Sequence, residues 1–267
     1  MWNILKATLH QTKRDRISYG MLVFMLLISF CAVFMCFMDP DASFSGITGS
    51  FSFIQCGMLF GSEFLALCCA LIAGRIAGWD LRDQTANYEV LFGKKRSAVY
   101  FGRLLAVLLI GLISIPLILP IGTLFCTVCN GWGASFTVQN ALLHTALAIP
   151  VTFRLLCFFT ALTFITGNEI VTYVSTFFIC MTTMLFKVLG EMLRLWTPPS
   201  WLTASLNLAD LLMIDNSTTE LINGRHVDVY KHVLTSQFVA ETIISSVLFG
   251  ILWIVLGYLF FRKKDLR

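Results

Sequence analysis

Six long apolar runs, parted by polar breaks, make up most of the chain. They lie near Ile17–Met38, Phe53–Trp79, Val99–Cys126, Asn140–Thr166, Ile170–Gly190 and Phe238–Phe261. At about 1.5 Å of helical rise per residue, each is long enough to cross about 30 Å of hydrocarbon. Only Gly167-Asn168-Glu169 separates the fourth run from the fifth, which predicts a tight helical hairpin. Pro116 and Pro120 interrupt the third run one turn apart. Proline lacks an N–H and crowds the preceding turn, so a bent or locally unwound helix is expected there. Pro150 does the same in the fourth run. Ahead of the first run, "MWNILKATLHQTKRDR" sets Trp2, Leu5 and Leu9 on one helical face and Lys6, His10, Lys13 and Arg14 on the other. That is the pattern of a helix lying on a membrane surface. A cleavable signal is not expected, because the apolar run starts only after Arg16 and leads to Met38-Asp39-Pro40. Between the fifth and sixth runs, the segment 191–237 has a Pro198-Pro199 break followed by Trp201, Leu202, Leu206, Leu208, Leu211, Leu212 and Met213. This predicts short re-entrant or interfacial helices in the outer leaflet, then an exposed polar piece after Asp215.

Composition agrees with the pattern. The 267 residues are 57% hydrophobic and only 13% charged, with 24 Phe and a mean hydropathy of +0.81. A soluble domain is about 25% charged. The expected fold is an all-α membrane protein of six transmembrane helices, a single domain over 1–267. Cys31, Cys36, Cys56, Cys68, Cys69, Cys157 and Cys180 sit inside apolar runs and read as small packing residues. Cys126 and Cys129 form a CxxC with no second pair and no nearby His, so no metal site is indicated.

Charge sets the orientation, since Lys and Arg are retained on the cytoplasmic side. Lys6, Lys13, Arg14 and Arg16 precede the first run. Arg75, Arg82, Lys94, Lys95, Arg96 and Arg103 surround the link between the second and third, and Arg262, Lys263, Lys264 and Arg267 follow the sixth. With six spans all of these fall on one side, whereas loops 39–52 and 127–139 carry no Lys or Arg. Both termini are therefore expected in the cytoplasm of a cell whose plasma membrane the chain spans.

The link "DLRDQTANYEVLFGKKRS", within 80–98, is a dense polar island. Asp83 suits a helix N-cap and Gly93 a stop, so Gln84–Phe92 is expected to form a short helix with Tyr88, Leu91 and Phe92 on one face. A helix this short does not hold itself in water and must pack on a membrane surface or a separate protein.

At this point the sequence resembles a family. Six spans, a basic amphipathic start and a charged helix between spans two and three look like the permeases of ABC-2-type ABC transporters. Lys95-Arg96-Ser97 followed by Val99-Tyr100-Phe101-Gly102-Arg103 resembles the family's basic turn and aromatic start of the third span. The ending "GYLFFRKKDLR" is similar to the family's usual close, although the family's proline in the basic turn is absent. The resemblance implies that residues 1–16 are the elbow helix and that the link is a coupling helix docked on a separate cytoplasmic ATPase. Asp83, Gln84, Thr85, Tyr88, Glu89 and Phe92 would then be contacts, with Glu169 a second one. The competing reading of these charges is a solvated cytoplasmic face, with Lys94–Arg96 controlling topology. The chain lacks a GxxxxGK[ST] phosphate loop, so ATP and Mg would bind the partner ATPase. Six spans are half a transporter, which implies a second permease, identical or different. Little soluble mass makes the chain similar to bacitracin- and lantibiotic-immunity permeases, which implies export of an antimicrobial peptide or antibiotic. No nucleic-acid partner is expected.

Ionisable residues inside spans are functional candidates. Glu63 lies about ten residues into the second span and Arg154 about fourteen into the fourth, within roughly a helical turn of each other in depth. They can form a helix-locking salt bridge or line a substrate path. Two other functions compete with the exporter. An ion-driven carrier or channel would call for inverted repeats, and an intramembrane enzyme for a catalytic cluster such as HExxH or Gly-x-Ser-x-Gly.

Overall fold

The computed structural model describes residues 1–37, 48–59, 64–82, 85–118, 121–192, 200–212, 217–222, 225–230 and 234–263. Numbered in chain order, the elements are α1 (Trp2–Arg14), α2 (Arg16–Phe37), α3 (Gly49–Leu59) and α4 (Leu65–Ala73). A π-helical turn (Gly74–Gly78) leads into α5 (Trp79–Arg82), α6 (Thr85–Leu91), α7 (Arg96–Ile118) and α8 (Ile121–Asn130). Then come α9 (Val138–Thr166), α10 (Glu169–Met192), a 3-10 turn (Ser200–Leu202), α11 (Ala204–Leu212), strands β1 (Ser217–Ile222) and β2 (Arg225–Tyr230), and α12 (Ser236–Lys263).

The central post is α9. The Thr137 hydroxyl accepts the Asn140 N–H at 3.4 Å to start it, and Gly167, at φ 74°, ends it. Pro150 lies inside, and the helix continues through it. The hairpin expected at Gly167-Asn168-Glu169 forms. Asn168 caps α10 by accepting the Ile170 N–H at 3.0 Å, and the Thr163 and Thr172 hydroxyls meet at 3.1 Å between the helices.

Against this post α12 runs parallel and α7 antiparallel. Going along both chains in the same direction, Gly250 meets Phe153, Trp253 meets Phe158, Gly257 meets Ala161 and Phe261 meets Phe164. In the opposite sense, Gly111 of α7 meets Leu156 and Tyr100 meets Phe164. Tyr100 is fully buried where the three helices cross and donates to the Ile254 carbonyl at 3.0 Å. A Cβ on Gly257 would stand 2.5 Å from the Tyr100 hydroxyl and 3.0 Å from the Ala161 Cα. Helices in an apolar medium associate by such close approach, because lipid supplies no hydrophobic drive between them.

The run predicted over Val99–Cys126 holds α7, which continues through Pro116, and α8 from Ile121; residues 119 and 120, Pro120 among them, lie outside the described residues. The run at Phe53–Trp79 comprises α3, α4 and the π-helical turn. The amphipathic start forms α1, but its inward face is Ile4, Leu5 and Thr8, with Ile4 against Gly102 of α7, whereas Trp2 is exposed beneath the Lys6 ammonium. Beyond α10 the chain returns into the bundle. Arg154 donates to the carbonyls of Trp201, at 2.9 Å, and Leu202, while the His144 ring nitrogen meets the Leu211 carbonyl at 2.7 Å. Those two side chains leave α9 about 15 Å apart, so the segment lies alongside α9 from Trp201 to Leu212. The polar piece after Asp215 adds a hairpin to the otherwise helical expectation, with Ser217 paired to Tyr230 and Ile222 to Arg225. Alternating Thr, Leu, Ile and Val flanking Asn223-Gly224 was the available signal.

Helices α7, α9 and α12 are long and apolar enough to cross a membrane. The outward faces of α2, α10 and α12 carry exposed Phe24, Leu27, Phe177, Phe178, Leu248 and Ile251. Contiguous apolar surface on this scale belongs in lipid rather than water. The Gly257 contact gives a direct check. Gly257→Val should lower the melting temperature of the purified protein in detergent, by an overpacking cost of about 1–3 kcal/mol. Gly20→Ala, where nothing lies within 4 Å of the new Cβ, should not lower it.

Candidate functional site

At the Thr166 end of the bundle, three separate segments converge on Arg75. Its side chain is 8% exposed and projects from the π-helical turn. The Nε donates to Asp15 at 2.7 Å, and Nη1 lies 3.7 Å from Glu169. The Trp79 ring covers the guanidinium, with its centroid 3.6 Å from Cζ. Two glycines let the turn reach this position. A Cβ on Gly74 would stand 2.4 Å from the Tyr173 ring, and one on Gly78 would stand 3.0 Å from the Glu169 Cβ. A single turn of π-helix is an uncommon backbone state that is frequent at functional positions.

Asp15 holds the corner between α1 and α2. It accepts the Ile17 and Ser18 N–H groups at 3.1 and 3.3 Å and the Ser18 hydroxyl at 2.8 Å, which makes it the N-cap of α2. Burial alone would raise its carboxyl. The hydrogen bonds from Arg75, Ser18 and Ile17, together with the Arg75 charge, outweigh burial and bring it from 3.8 down to about 2.

The second ion pair positions α6. Arg103, fully buried on α7, donates to Glu89 at 3.1 Å, and Glu89 is about a quarter exposed at 26%. Gly93, at φ 85°, stops α6, with its N–H bonded to the Val90 carbonyl and the Lys94 N–H to the Glu89 carbonyl. Arg96 donates from Nη1 to the Arg262 carbonyl at 2.6 Å, so the turn after α6 is tied to the last turn of α12. Anchored at this end, α6 leaves Tyr88, Leu91 and Phe92 exposed, Phe92 at 85%.

The residues expected from the sequence differ in their surroundings. Tyr88 is exposed on α6 and Phe92 just after it, and Glu89 turns toward Arg103. Thr85 lies in α6, and Asp83, Gln84 and Glu63 lie outside the described residues. Glu169 is buried against Arg75. Arg154 is 4% exposed, its guanidinium 4.3 Å from the Phe249 ring centroid, and the described residues place no carboxylate within salt-bridge distance of it. Sequence reasoning gave Asp15 no role, counted Arg75 only as a topology charge, and placed Arg103 at the start of the third span without a partner. The available signals were an Asp directly before a helix start and basic residues more than a turn inside apolar runs. No protein-family model matches the chain, and no curated protein matches it.

Asp15→Asn tests the charge without removing the cap, since Asn caps a helix about as well. A depressed carboxyl stabilises the fold above its unfolded value near 3.8, and the contribution is lost as the pH falls toward about 2. Thermal unfolding in detergent should show the wild type melting above the variant at neutral pH, with the gap shrinking as the pH drops from about 4 toward 2. A gap independent of pH would show that the Asp15 charge is not what holds the corner.

Proposed function

We propose that this chain is the membrane-spanning permease subunit of an ABC-2-type exporter. In this reading six spans cross the plasma membrane, both termini are cytoplasmic, and the Thr166 end faces the cytoplasm. ATP and Mg bind a separate ATPase, two permease subunits complete the pathway, and the cargo is an antimicrobial peptide or antibiotic. The observation that carries the reading is α6, a short helix fixed to the bundle by Glu89–Arg103 and stopped by Gly93, whose Tyr88, Leu91 and Phe92 face is left exposed by the described residues. A helix of this length is held in place only by what it packs on, so an anchored helix with a bare aromatic face fits a protein partner. The basic turn Lys94-Lys95-Arg96 beside it supports placing that face in the cytoplasm. Arg75 adds support, because it joins the α1–α2 corner to the α9–α10 turn at the same end of the bundle.

The test is isolation from the native host in mild detergent, followed by identification of co-purifying chains and measurement of ATP hydrolysis. A stoichiometric ATPase with a phosphate-binding loop is expected. Tyr88→Ala with Phe92→Ala should weaken its binding by roughly tenfold, about 1–2 kcal/mol for exposed aromatic anchors, with membrane insertion unchanged. Isolation without an ATPase, or hydrolysis and binding indifferent to these substitutions, would refute the assignment.

A further inference from the structure

Arg154 lines a cavity of about 150 Å³ bordered by α4 at Ala66, by α9, α10 and α12, and by the 3-10 turn and the start of α11. Its walls are mostly apolar, including Phe158, Ile179 and Trp253. The volume is below the roughly 300–1,000 Å³ of a pocket for a drug-sized molecule, so the space suits a headgroup and the first carbons of a chain, not a peptide. Two features give it a positive character. The guanidinium donates to the carbonyls of Trp201 and Leu202, which satisfies N–H groups but does not cancel the charge, and no described carboxylate stands within salt-bridge distance. The first turn of α11 also borders the space, because Thr203 and Ala204 line it. A helix start presents free N–H groups and partial positive charge. The Thr203 hydroxyl, which lines the same space, is buried and makes no hydrogen bond.

A cation held among apolar side chains favours an anion beside it, since low local dielectric strengthens the attraction. Irregular backbone inside a membrane domain, as at Ser200–Thr203, is tolerated where it is covered by protein or lines a cavity. We propose that this cavity binds the anionic headgroup of a membrane lipid, a phosphate ester whose acyl chains lie along α10 and α12. The lipid source follows from the walls. Ile179 is partly exposed on the apolar outer face of α10, and Phe177 and Phe178 extend that face, so the approach is from hydrocarbon rather than from water. This inference needs the chain to lie in a bilayer but does not need an ATPase partner, so either reading can fail without the other.

The experiment reconstitutes the full chain into phosphatidylcholine vesicles carrying a trace of photoactivatable phosphatidylglycerol, or of photoactivatable phosphatidylcholine as the uncharged-headgroup control. Labelled peptides are then mapped. Phosphatidylglycerol should label peptides from α10 and α12 several-fold more than phosphatidylcholine does, and inorganic phosphate should not compete. Arg154→Gln should abolish that preference, and Arg154→Lys should retain part of it. Because Arg154 also holds the 3-10 turn, Ala204→Leu supplies a second variant that fills the cavity and leaves the charge. It should block labelling with elution and helicity unchanged. Equal labelling by both lipids, or labelling indifferent to both Arg154→Gln and Ala204→Leu, would overturn the proposal. Competition by inorganic phosphate would overturn the lipid source.

Discussion

Arg75 brings a full charge to a place where little water reaches, and the Thr166 end of the bundle is organised around keeping it paired. An isolated buried guanidinium costs several kcal/mol, and removing one partner from a buried pair typically costs about 3–5 kcal/mol. Here the counter-charges come from two distant parts of the chain, Asp15 at the α1–α2 corner and Glu169 at the start of α10. Neither can leave without exposing the cation to an unbalanced site, so the three segments are held in one arrangement. The glycines at 74 and 78 are what make this possible, because any side chain there would push the π-helical turn off Tyr173 and Glu169.

The same economy of contacts governs α6. One buried arginine holds it to α7, and α7 is in turn held to α12 and α9 through Tyr100. Val99-Tyr100-Phe101-Gly102-Arg103 thus places successive contacts within a single turn and a half of helix. Tyr100 makes the three-helix crossing, Gly102 admits Ile4 of α1, and Arg103 reaches Glu89. These contacts form an unbroken physical path from the exposed face of α6 into the centre of the bundle. That is the arrangement needed if a partner at α6 is to move the helices.

Much of this was legible along the chain. The hairpin at Gly167-Asn168-Glu169 followed from a glycine able to take a left-handed conformation next to an asparagine able to cap, and both do so. The stop at Gly93 was readable for the same reason as Gly167. Less legible were the direction of α1 and the fate of single charges. Helical spacing put Trp2 with Leu5 on one face, but Gly102 receives Ile4, and Trp2 is left outside. Glu169 read as a surface contact because the turn around it is polar, whereas the position of Arg75 turns its side chain inward.

Sequence alone determined where helices start and stop and that most of their surface is apolar. Those properties are local, set by backbone freedom at Gly and Pro, by caps and by the sum of side-chain hydropathy. It also determined that α6 is too short to stand by itself. Only the tertiary structure decided which charges meet. Asp15, Arg75 and Glu169 are far apart in the chain, and whether a buried charge finds a carboxylate, a backbone carbonyl or a cavity depends on which helices come within a few ångströms. Arg75 finds two carboxylates; Arg154 finds two carbonyls, an aromatic ring and a cavity. The residue type is the same, and the packing of the helices around it makes the difference.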